Sequence, residues 1–197
     1  MGRSSQTIHV IGFCGSPRTA GNSTVLLDAV LRGAADAGAA VQKVSLADLS
    51  IAPCRACDAC LKTGVCIQHD DMEPLVESMK ESHIWVLATP VYWWGPSAQL
   101  KAFVDRWYAP WHNADTRMAF AGKRAVLVAA MGDTNAGTAR HTVGMLSDAL
   151  HYLDMKISAT VLAPGVHDLH DIDACPNLIR EAEHAGRDAV TSTRPRG

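Results

Sequence analysis

Hydrophobic and polar positions along the chain follow two alternating periods. Short apolar runs rich in β-branched residues recur at Ile8 to Phe13 (IHVIGF), Ala40 to Ser45, Ile84 to Thr89 (IWVLAT), Arg124 to Ala130 (RAVLVAA) and Met155 to Leu162, each of strand length. Between them the spacing lengthens to that of helices. TVLLDAVLRGAADA separates the first two runs, and Leu100, Phe103, Val104 and Trp107 keep the i, i+3, i+4, i+7 spacing of a core-facing stripe. Further helices are expected from Met72 to Ser82, Thr138 to Tyr152 and Pro176 to Thr191. Five strands alternating with five helices predict an α/β, doubly wound parallel sheet with helices on both faces and right-handed crossovers.

At 197 residues the chain is long enough for one sizeable core, so residues 1–197 read as a single domain. No internal repeat or low-complexity linker interrupts it, and the polar ends, MGRSSQ and TSTRPRG, are expected to fray. Two connections, 46–71 and 107–123, are long for an α/β link, and long loops in compact domains are usually functional. The first holds a cysteine-bearing loop at 50–70. Eighteen basic against twenty acidic residues give a net charge of -2, which lacks the field that phosphate-backbone binding needs, so no nucleic-acid partner is expected. No apolar run has the length of a membrane span, and MGRSSQTIHV lacks the apolar stretch expected of a signal peptide. We therefore expect a cytoplasmic protein without a membrane partner. In that reducing compartment, clustered cysteines are more naturally metal ligands or redox groups than disulfides.

In an open parallel sheet, ligands bind beyond the carboxyl ends of the strands, where strand order reverses. The loop after the first strand, CGSPRTAGNST, runs straight into a helix: its small residues admit close backbone approach, and Ser16, Asn22, Ser23 and Thr24 carry hydroxyl and amide groups. Free N–H groups at the helix start favour a phosphate there, and Arg18 can add a charge-assisted bond. An ordinary Gly-Ser-Pro turn with an N-cap is the plainer alternative. No lysine follows Gly21 and the Gly-x-Gly-x-x-Gly pattern is absent, so a mononucleotide such as FMN fits better than a triphosphate or dinucleotide. After the third strand comes TPVYWWGPSAQLKAFVDRW, where Tyr92, Trp93 and Trp94 suggest a flat aromatic ligand or a partner surface, while Phe103 and Trp107 read as core.

GSPRTAGNST, PCRACDACLKTGVC followed by DDM, and TPVYWWGPSAQLKAFVDRW together resemble the NADPH-dependent FMN reductase group of the flavodoxin-like superfamily, most of all its iron-sulfur flavoprotein branch. The resemblance runs from residue 8 to about residue 110 and is only architectural beyond 140. It implies a flavodoxin-like strand order 2-1-3-4-5, FMN as cofactor and NAD(P)H as co-substrate. It further implies that Ser16, Arg18, Asn22, Ser23 and Thr24 hold the FMN phosphate and that Pro90, Val91, Tyr92 and Trp93 line the isoalloxazine ring. The third flavin loop corresponds to MGDTNAG, making Gly132, Asp133 and Thr134 further candidates.

Cys54, Cys57, Cys60 and Cys66 lie at gaps of two, two and five. By resemblance they could ligate one 4Fe-4S cluster near the flavin end of the sheet. Zinc is the physical rival, although structural zinc sites usually pair their cysteines as two separated knuckles. Free thiols on a lid or a subunit contact are the third reading. Cys14 reads as a small buried hydrophobe, and Cys175 lies outside the loop. HDLHDIDAC, 167–175, has the spacing of a divalent-metal site and equally of a polar turn before the last helix.

The leading expectation is an oxidoreductase that passes electrons from NAD(P)H through FMN to a quinone, a flavin, an iron-sulfur centre or another small acceptor, without a catalytic acid or base of its own. A non-enzymatic electron carrier of flavodoxin type and a zinc-stabilised interaction module are the alternatives. Trp93, Trp94, Tyr108 and Trp111 exceed what one flavin face can cover, so a homodimer or homotetramer is expected.

Overall fold

The computed structural model describes residues 7–193; the expected fraying of MGRSSQ and of 194–197 lies outside the described residues, whereas Thr191, Ser192 and Thr193, the start of TSTRPRG, do not fray but complete the last helix. Strands β1 (His9–Cys14), β2 (Ala40–Ser45), β3 (Ile84–Pro90), β4 (Arg124–Ala130) and β5 (Lys156–Ala163) form one sheet in the order β2-β1-β3-β4-β5. All four pairings are parallel, so the expected doubly wound sheet and its 2-1-3-4-5 order are what the chain adopts. The hydrophobic runs locate every strand to within a residue at either end.

Alternation along the strands sorts the core into two layers. Val10, Val86, Val128 and Val161 face α1 (Asn22–Asp36) and α8 (Pro176–Thr193). Ile11, Phe13, Trp85, Leu87 and Leu127 face the other way, against α3 (Met72–Glu81), α4 (Ala98–Asp105) and α7 (Arg140–Tyr152). Each large side chain buried this fully contributes about 1.5–3 kcal/mol. The indole Nε1 of Trp85 donates to Ser82 Oγ at 2.8 Å, so the largest core side chain leaves no polar atom orphaned.

Helices α1 and α8 touch through their backbones. A Cβ at Gly33 would lie 1.9 Å from the Glu183 carbonyl oxygen, and one at Gly186 would lie 1.9 Å from that of Val30. Only glycine permits so close a crossing.

The long connections hold structure that periodicity did not announce: α2 (Cys60–Thr63) in the first, and α5 (Tyr108–His112) and α6 (Ala114–Phe120) in the second. Such helices are too short for the 3.6-residue period to show. The expected stripe also breaks. Leu100, Phe103 and Trp107 are buried, but α4 stops at Asp105 and the buried neighbour is Arg106 rather than Val104.

Candidate functional site

The sheet order reverses between β1 and β3, which places the crevice above their carboxyl ends. Hydrogen bonds knit the loops emerging there into one surface. The Gly15 amide donates to the Ala88 carbonyl at 2.7 Å, and the buried Ser97 hydroxyl donates to the Gly15 carbonyl at 2.5 Å while capping α4 at the Leu100 amide. The Val91 amide donates to Ala130, Thr142 Oγ1 donates to the Trp94 carbonyl, and the Gly165 amide donates to Asp133. The loops after β1, β3, β4 and β5 therefore share one edge.

In the β1–α1 loop the candidate phosphate ligands divide by what already holds them. Ser16 Oγ is engaged with both the amide and the carbonyl of Arg18, at 3.1 and 3.2 Å. Thr24 Oγ1 donates to the Arg18 carbonyl at 3.0 Å and stands 3.3 Å from Cys14 Sγ. Asn22 reaches across to the β5–α8 connection, where Nδ2 donates to the Asp168 carbonyl and Oδ1 accepts from the Ile172 amide. Both ends of its side chain are thus committed. Ser23 is different: it is only 2% exposed and its hydroxyl makes no hydrogen bond among the described residues. The amides of Asn22 and Ser23, in the first turn of α1, have no intrahelical acceptor either. An unpartnered hydroxyl beside free helix-start amides, with the exposed Arg18 on the rim, is the donor set a phosphate would complete.

Tyr92 and Gly95 exchange both backbone hydrogen bonds, at 2.8 and 3.0 Å, across a two-residue turn formed by Trp93 (φ 49°) and Trp94 (φ 61°). Both central residues of such a turn are left-handed, which normally selects Asn or Gly. Two tryptophans there store strain, and strain of this kind gathers at ligand clamps. The turn holds the Trp93 ring 91% exposed at the crevice, with Pro90 and Val91 partly buried beneath it. Gly132 packs under His167, so near that a Cβ would meet the ring at 2.9 Å. Asp133 accepts from Thr138 Oγ1 and from the Asn135 amide, which hold its carboxyl below the usual range; it shapes the third loop from within.

The connection carrying the cysteines leaves β2 and returns to α3 at the same end of the sheet. Left-handed backbone at Ala56 (φ 48°) and Asp58 (φ 55°) curls CRACDAC, and Cys54, Cys57, Cys60 and Cys66 line one small pocket with Arg106 and Tyr108. Burial pushes the Cys60 thiol up, and charge on Cys66, Cys54 and Cys57 adds to that effect. Among the described residues no three His, Cys, Asp or Glu side chains stand in a metal-holding group, so the four sulfurs share a pocket without converging. The donor set fits a thiolate-ligated cluster or metal in chemistry and number. At 167–175 the polar-turn alternative holds: Asp171 Oδ2 accepts from the amides of His167 and Asp168, folding the segment onto itself.

Several residues that build this edge escaped the sequence reading. Ser97 bore a signal, since it precedes a helical stripe as an N-cap serine does. Thr142, Asp70 and Arg106 bore none beyond their place in or near the quoted motifs.

The family model for NADPH-dependent FMN reductase matches residues 8–167. An iron-sulfur flavoprotein of Archaeoglobus fulgidus is 37% identical over 116 residues, which cover 59% of this chain and 53% of that protein. The chain thus spans about half the length of that relative. An iron-sulfur flavoprotein of Methanosarcina thermophila is 32% identical over 149 residues, covering 75% of each chain. Among solved structures, an NAD(P)H:quinone oxidoreductase from Methanothermobacter marburgensis superposes with a TM-score of 0.76 at 21% identity, covering 92% of this chain and 96% of that one. At that identity the likeness is one of fold.

Proposed function

The chain belongs to the NADPH-dependent FMN reductase family, and from that premise we propose that it is an FMN-dependent oxidoreductase carrying electrons from NAD(P)H to a small acceptor such as a quinone or a free flavin. The observation that carries this reading is the unpartnered hydroxyl of Ser23 at the open start of α1, on a loop clipped through Gly15 and Ser97 to the strained aromatic turn.

In this reading Ser23 and the first amides of α1 receive the FMN phosphate, and Arg18 closes over it from the rim. Ser16, Asn22 and Thr24 hold that loop in shape. Pro90, Val91, Tyr92 and Trp93 line the isoalloxazine ring, and Gly132 and Asp133 bound it from the third loop. FMN would supply the hydride-accepting ring chemistry, while the protein orients the ring and limits the access of water. The Tyr92 and Trp93 side chains offer flat faces, and no side chain of the edge is required as a general acid or base.

Cys54, Cys57, Cys60 and Cys66 would hold a 4Fe-4S cluster, a one-electron carrier suited to hand electrons onward singly. The crowded gaps of two argue against zinc. Association of subunits over the exposed Trp93 and Trp94 belongs to the same proposal, with sizing at micromolar concentration as its check.

Arg18→Ala combined with Ser23→Ala tests the phosphate assignment: FMN affinity should fall by about tenfold or more, as loss of a charge-assisted bond implies, with the unfolding midpoint of the flavin-free protein little changed. Undiminished affinity would overturn it. Steady-state NAD(P)H oxidation with an added acceptor separates the enzyme from a passive carrier. Iron and zinc assays on anaerobically purified protein decide what the thiols hold.

A further inference from the structure

The cysteine loop is tied shut at its neck by one buried side chain. Arg106 is 2% exposed, and its two terminal nitrogens reach both strands of the neck. Nη1 donates to the Ala52 carbonyl at 2.8 Å and to Asp70 Oδ2 at 2.5 Å; Nη2 donates to Asp70 Oδ1 at 3.0 Å and lies 3.5 Å from both the Gln68 carbonyl and Cys66 Sγ. Asp70 in turn accepts from the Ala52 amide at 3.2 Å and from the Met72 amide at 3.2 Å. The Asp71 carboxylate accepts from the Ser50 amide at 2.6 Å, and Gln68 Nε2 donates to the Pro53 carbonyl at 3.3 Å. Residues 50–53 and 68–71 are thereby laced together immediately outside Cys54 and Cys66.

A buried ion pair is a poor device for stability alone, because desolvation offsets most of its attraction. It is a good device for register, because the planar fork of an arginine fixes several acceptors in one geometry. We infer that Arg106, paired with Asp70, is the positioning residue of the cysteine loop, holding its neck closed so that Cys54, Cys57, Cys60 and Cys66 line one pocket, where a thiolate-bound redox group would draw them together. Its guanidinium also places a fixed positive charge beside Cys66, where a cluster with its thiolates would carry negative charge. The consequence for a redox group rests on the cluster reading; the closure of the neck does not.

Two variants of the full-length, FMN-loaded protein test this. Arg106→Lys keeps the charge but loses the fork. The double variant Arg106→Gln with Asp70→Asn keeps the shapes and leaves no buried charge unpaired, so it folds even where a single replacement does not. In both, trypsin should cut after the exposed Arg55 and Lys62 on the order of tenfold faster than in the parent protein. FMN content should be unchanged. After anaerobic reconstitution with iron and sulfide, both variants should retain less iron and show weaker iron-sulfur absorbance than the parent protein. Cleavage at the parental rate in both variants would overturn the clasp, whatever the iron content. Faster cleavage together with a parent protein that binds no iron would uphold the clasp and remove the cluster.

Discussion

Trp93 shows what a single residue contributes against its own conformational preference. In the left-handed region an L-residue costs about 1–2 kcal/mol, and Trp93, almost wholly exposed, recovers little of that through packing in the flavin-free protein. Trp93→Asn should therefore stabilise the flavin-free protein by about 1 kcal/mol, since Asn tolerates this conformation, while FMN binds more weakly. Thermal melts without flavin and a flavin titration read the two effects separately. A variant that melts lower than the parent would show that the turn is unstrained. Ser23 and Asn22 make a related point: they are neighbours of similar polarity, yet one is left without a partner and the other is consumed in holding Asp168 and Ile172. Residue type made both candidates, and long-range contacts separated them.

Among the elements, the pairing of α1 with α8 depends on two glycines rather than on interlocking side chains. Gly186→Ala would drive a Cβ into the Val30 carbonyl and should cost about 1–3 kcal/mol as overpacking. Gly144, in α7, has nothing within 4 Å of where its Cβ would lie, so Gly144→Ala should instead stabilise by about 0.5–1 kcal/mol through helix propensity. Urea midpoints of the two variants should move in opposite directions; a shared direction would contradict the close crossing. Neither helix advertised this difference, because both glycines sit at ordinary positions in amphipathic patterns. The cysteine connection behaves likewise: its four thiols were conspicuous in the chain, whereas the clasp that gathers its ends joins residues 36 apart, Asp70 and Arg106.

For the molecule as a whole, acid should act in two stages. His83 Nδ1 accepts the His9 amide proton at 3.1 Å; burial lowers its pKa, and His9 and Lys123 lower it further. The unfolded chain then binds the proton first, so stability declines as pH falls below about 6.5. Burial would raise the pKa of Asp70, but the Arg106 hydrogen bonds and charge, together with the Ala52 and Met72 amides, outweigh it and hold the carboxyl below its ordinary value. Its contribution is present at neutral pH and is lost as pH falls below about 4. Urea unfolding across a pH series should show both limbs, with His83→Gln flattening the first. An unchanged first limb in that variant would assign it elsewhere. At this scale the pattern of apolar runs was sufficient for five strands, their parallel class and the edge where the ligand loops emerge, because burial of a twisted sheet on both faces leaves a period that local composition records. The motifs likewise determined the family and the set of candidate residues. Tertiary structure alone decided which candidates are free to bind and which are already held, how α1 and α8 meet, and what closes the cysteine loop. Those outcomes are set by hydrogen bonds and steric contacts between residues distant in the chain, and no local spacing encodes them.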